Sequence, residues 1–105
     1  MSREALEKML AKGMDNALLR FGLGKAYLDE SNLELAAEHL QRCVGFDDKY
    51  SAAWKLLGQT LNKLERYAEA RSAWEHGLTA AKEKGDKQAE KEMSVFLKRL
   101  DKQSR

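Results

Sequence analysis

Residues 54–77 read WKLLGQTLNKLERYAEARSAWEHG. Trp54, Leu57, Gly58 and Leu61 recur at i, i+3, i+4 and i+7, the spacing of one helix face. Glu65-Arg66 interrupts the pattern, and Tyr67, Ala70, Trp74 and Leu78 begin a second helical face. The stretch therefore reads as helix, tight turn, helix. A near copy lies 34 residues upstream: Leu23-Gly24 falls on Leu57-Gly58, Leu33 on Tyr67, Ala36 on Ala70, Leu40 on Trp74 and Cys43 on Gly77. A repeat of this length marks stacked helical units that share one core. Gly24 and Gly58 stand in helix interiors, where glycine costs about 1 kcal/mol relative to alanine. The compensating gain is close approach of a neighbouring helix, with Ala36 and Ala70 as the small residues opposite.

These residues resemble the tetratricopeptide repeat, whose pattern runs Trp, Leu-Gly, Tyr, Ala, an aromatic and a closing Pro. The second copy supplies Trp54, Leu57, Gly58, Ala70 and Trp74, with Leu61 in the Tyr slot. The first supplies Leu23, Gly24, Tyr27 and Ala36, with Arg20 in the Trp slot and Leu40 in the second aromatic slot. Asp48 and Lys82 replace the closing Pro. The resemblance implies an all-α, antiparallel helix-pair solenoid of about six helices and a role in binding other proteins.

The expected divisions of this single domain are an N-terminal helix in 1–16, repeats at 17–50 and 51–84, and a capping helix at 85–101. Residues 102–105 are expected to fray. Ser2, Asn16 and Asp86 are expected helix caps, as is either Ser51 or an aspartate for the helix beginning there. The last register requires about three extra residues, so the helix before it should exceed the repeat norm. Its Met93, Phe96, Leu97 and Leu100 form the apolar stripe that closes the array.

Composition agrees with helices: no proline occurs, and 43% of residues are hydrophobic. The net charge of +2 argues against a general nucleic-acid binder, although Lys82 to Arg105 is mildly positive. No run of 18 apolar residues exists to cross a membrane, and MSREALEKML lacks the apolar core of a signal peptide. A cytoplasmic location is the expectation. Cys43 is the single cysteine and reads as a small buried hydrophobe.

No catalytic constellation emerges. His39 and Cys43 share a helix at metal-compatible spacing, but two ligands do not make a structural zinc site. His76 reads as a solvated side chain beside Trp74, and Glu38 and Arg42 as an ion pair on the wet face. The expectation is a non-enzymatic chain with no metal and no cofactor.

In the resembling family the first helix of each pair lines a concave groove. Carried onto this chain, the candidates in repeat one are Leu18, Phe21, Lys25, Leu28 and Asp29. Repeat two offers Lys55, Gln59, Asn62 and Lys63, and the closing helix Lys91 and Lys98. Apolar residues in one half and lysines with amides in the other suit a protein or peptide with acidic and apolar character. The family's two-carboxylate clamp is matched poorly, with Phe21 and Lys25 in its slots and Leu56 where an Asn belongs. The alternative is a self-assembling module, a homo-oligomer built through the terminal half-repeats or through two facing grooves.

Overall fold

A computed structural model describes residues 2–103. Its helices are α1 (Arg3–Ala11), α2 (Ala17–Asp29), α3 (Leu33–Phe46), α4 (Ser51–Lys63), α5 (Tyr67–Lys84) and α6 (Lys87–Gln103). Among the described residues there is no strand, and no helix is long and apolar enough to cross a membrane. The helices stack as antiparallel hairpins, α2 on α3 and α4 on α5. Helices α1 and α6 close the two ends of an array measuring 45 × 29 × 18 Å.

Each hairpin closes on a glycine. A Cβ on Gly24 would overlap Leu40, and one on Gly58 would overlap the Trp74 indole. Gly77 does the same for Met93 of α6 and stands against Trp54 Cβ. The repeat's small residues thus set the interhelical distance, and the large ones fill the space left open. Leu23, Leu40, Leu57 and Met93 are fully buried, and Trp74 is nearly so.

Four helices end without proline by one device. The backbone N–H groups of Met14, Asn32, Arg66 and Asp86 each reach back five residues, to the carbonyls of Met9, Tyr27, Leu61 and Ala81. The residue before each of them is left-handed: Gly13, Ser31, Glu65 and Gly85, with φ of 93°, 60°, 61° and 71°. This geometry pairs carbonyls that a helix end otherwise leaves open. Where Lys82 replaces the family's proline, α5 simply continues to Lys84 and reaches 18 residues, against 14 in α3. First helices begin at residues 17, 51 and 87, so the second interval is longer by two residues, where about three were expected.

Several local expectations hold. Ser2, Asn16 and Asp86 accept hydrogen bonds from the N–H groups of Ala5, Leu19 and Ala89. Others are corrected. No side chain caps α4; Ser51 is buried and donates its hydroxyl to Asp86 Oδ2 at 2.9 Å. Among the described residues no ion pair joins Glu38 to Arg42. Lys102 and Gln103 continue α6 rather than fraying, and residues 104 and 105 lie outside the described residues. His76 is exposed, as expected, but its neighbour is Trp54, on which it stacks with centroids 5.0 Å apart, rather than Trp74. The reason is that Trp54 faces outward enough to cover His76 while its Nε1 donates to the Asp48 carbonyl at 2.7 Å.

Candidate functional site

The first helices of the pairs, α2, α4 and α6, finish near one another. Their C-terminal stretches line a cavity of about 540 Å³ that is open to solvent. Five of the groove candidates line it: Leu28, Asp29, Gln59, Asn62 and Lys63. Seven further residues complete the wall, among them Leu56, Phe96, Arg99 and Gln103, none of which is a groove candidate from the sequence. Phe96 packs against Trp74 at 5.3 Å between centroids, yet it is only partly buried and gives the cavity an aromatic wall. Its spacing to Arg99 and Gln103 is i, i+3, i+7, a stripe visible in the sequence, where Phe96 reads as core and Gln103 as part of a fraying tail.

The wall carries unequal chemistry. Leu28, Leu56 and Phe96 are apolar, and Gln59, Asn62 and Gln103 are amides. The Oδ1 of Asn62 is buried and finds no hydrogen-bond partner among the described residues. Such a group costs about 1–3 kcal/mol until something satisfies it. Lys63 and Arg99 are exposed and take part in none of the ion pairs between described side chains. Asp29 is the one acidic residue of the wall.

The other candidates are distributed differently. Phe21 stacks on Tyr50, with centroids 4.8 Å apart and planes at 28°. It is partly buried and lies outside the cavity. Lys25 lies over the same ring, 5.6 Å from its centroid. Lys55 is already matched inside the chain: its Nζ pairs with Glu92 Oε1 at 3.3 Å, and its carbonyl accepts from Trp74 Nε1 at 3.2 Å. Leu18 is 72% exposed, away from the cavity. Lys91 and Lys98 are exposed on α6, also outside it.

A second polar cluster lies where α1 meets the first repeat, and sequence reading did not find it. His39 is 7% exposed and stacks parallel on Tyr27, with centroids 5.3 Å apart. Its Nδ1 lies 3.1 Å from Arg20 Nη1, and Arg20 also grips Asp15 through two bonds. Tyr27 donates its hydroxyl to Glu7 at 2.7 Å, which ties α1 to α2. Burial, then the Arg20 charge, pushes His39 below its ordinary value. The Arg20 that replaces the family's Trp is thus the hub of this network. That substitution was the available signal.

Cys43 is fully buried, and desolvation raises its thiol to about 11. Among the described residues no three His, Cys, Asp or Glu side chains converge as metal ligands would.

No protein-family model matches the chain. It is 67% identical over 98 residues to the TPR repeat-containing protein PA0015 of Pseudomonas aeruginosa, spanning 93% of each chain. The solution structure of protein BPP2914 from Bordetella parapertussis superposes with a TM-score of 0.81 at 50% identity, covering 96% of this chain and 88% of that one. A tetratricopeptide repeat domain protein of Salinibacter ruber superposes at 0.77 with 21% identity, covering 83% and 97% of the two chains. At that identity the likeness speaks of the fold alone.

Proposed function

Because the chain belongs to the tetratricopeptide repeat family, we propose that it is a non-enzymatic binding module whose concave face takes a segment of another protein. The fold generally serves protein–protein interaction. The finer reading is that the partner segment combines apolar and acidic character. One observation carries it: the cavity joins an apolar wall to two cations, Lys63 and Arg99, that no described side chain pairs. Cations left unpaired beside a concave apolar surface favour carboxylates and speed their approach. Lys55, by contrast, is matched by Glu92 and is less available.

Affinity capture from a lysate of the chain's own source organism tests the reading, with the Lys63→Glu, Arg99→Glu double variant as control. A protein retained by the native chain and lost by the folded variant supports it. Equal retention by both counts against it.

Self-assembly is the second reading. Leu18 is 72% exposed at the start of α2, and Val95 is 39% exposed on the terminal helix α6, so apolar side chains stay open towards both ends of the array. Sedimentation over a range of concentrations decides it, and a strict monomer removes it.

A further inference from the structure

We propose that the cavity at the ends of α2, α4 and α6 holds a single large apolar side chain of an extended partner segment, with acidic residues flanking it. The proposal rests on the concave-face reading above and assigns that face its point of recognition. Leu28, Leu56 and Phe96 form one apolar wall of a space of about 540 Å³, room for an aromatic or branched side chain together with the residues flanking it. Lys63 and Arg99, from two different helices, border the same space and pair with no described side chain, so carboxylates next to the anchoring residue complete them. The Asn62 amide supports an extended backbone. Its buried Oδ1 lacks a partner among the described residues, and a ligand N–H satisfies it only when the amide turns towards the cavity. An extended segment presents an N–H and a C=O at every residue, so it serves this amide in either flipped orientation. A helical ligand has already spent those groups on itself.

The test uses fluorescein-labelled peptides containing Glu-Glu-Phe-Glu-Glu in a Gly-Ser frame, with matched peptides bearing Ala at the centre or Lys at the flanks. Binding is followed by anisotropy and by ¹⁵N-edited NMR. The Phe peptide should bind about tenfold tighter than the Ala peptide, the rough worth of one buried apolar side chain. The Lys-flanked peptide should not bind. Amide signals of Asn62, Phe96 and Arg99 should move. Lys63→Glu, Arg99→Glu should weaken the Phe peptide at least about tenfold, Asn62→Leu should weaken it with the charges intact, and Lys98→Glu should leave it unchanged. Circular dichroism checks that each variant is folded.

Shifts confined to the region of Phe21 and Lys25 would overturn the cavity assignment and leave the concave-face reading standing. Equal affinity for the Phe and Ala peptides would overturn the apolar anchor. Failure of every peptide at millimolar concentration overturns the proposal, and capture of a protein from lysate then decides the broader reading separately.

Discussion

Gly58 and Trp74 meet so closely across α4 and α5 that the indole occupies the space of any Cβ at position 58. Gly58→Ala should therefore destabilise the chain. The helix would gain about 1 kcal/mol from propensity, but overpacking against a rigid ring costs about 1–3 kcal/mol. Because the indole Nε1 is also bonded to the Lys55 carbonyl, the ring cannot simply retreat. A net loss of up to about 2 kcal/mol is expected in urea unfolding. Gly45→Ala is the control: nothing lies within 4 Å of its Cβ position, and a gain of up to about 1 kcal/mol is expected.

Glu65 ends α4 in the left-handed region at φ 61° without being glycine. Glu65→Gly should relieve the steric cost of that conformation. The gain should be about 0.5–1 kcal/mol, because glycine also enlarges the unfolded ensemble it must leave. Gly85→Ala, at φ 71°, should move stability the other way. Thermal unfolding of both variants checks the pair.

Asp86 joins the second repeat to the closing helix. It accepts from Ala89 N–H and from the Ser51 hydroxyl, and those bonds, the backbone one first, hold its carboxyl below the ordinary 3.8. A depressed carboxylate contributes stability that is complete above its unfolded value and is lost as pH falls through its folded one. Asp86→Asn should retain the cap and abolish this acid-side contribution, and Asp86→Ala should lose both. Stability profiles between about pH 5 and pH 2 distinguish the three proteins.

His39 supplies a pH dependence in a different window. Its folded value is lowered from 6.5 by burial and by Arg20, so the fold favours the neutral ring. The associated stability is complete above 6.5 and is lost as pH falls towards the lowered value. Glu7, Glu38 and Asp15 oppose the shift, since each favours the charged ring. Protection factors in α1, with the intrinsic pH dependence of amide exchange divided out, should fall on acidification through this range. His39→Gln should flatten the response, and an unchanged slope in that variant would exclude the histidine as its source.

Lys55→Glu should weaken the contact between α4 and α6, because it places a second carboxylate beside Glu92. The pair is partly exposed, so the loss should be about 0.5–1 kcal/mol. Adding Glu92→Lys should restore most of it, with chemical denaturation of the two single variants and the swap closing the cycle.

Cys43 should resist alkylation in the native protein. With a value of about 11, the thiol at pH 8 is ionised to roughly one part in a thousand, against about a quarter for a free cysteine. Mass spectrometry after iodoacetamide should show labelling only under unfolding conditions.

The repeat, the helix pairs and most of the core are legible in the amino-acid order alone. Each rests on local periodicity and on residue size at fixed slots: Gly58 must face something large, and Trp74 is large. That order also carried five of the residues that line the cavity, because Leu28, Asp29, Gln59, Asn62 and Lys63 follow from helical spacing within α2 and α4. Tertiary structure alone decided which side chains are spoken for. Lys55 finds Glu92 across 37 residues, and that meeting depends on the offset and rotation of α6, set by an α5 that overruns the repeat. The same rotation brings Phe96 and Arg99 to the cavity and leaves Lys91 and Lys98 outside it. Periodicity names the face a residue occupies on its own helix. What stands opposite that face is settled by how the helices pack.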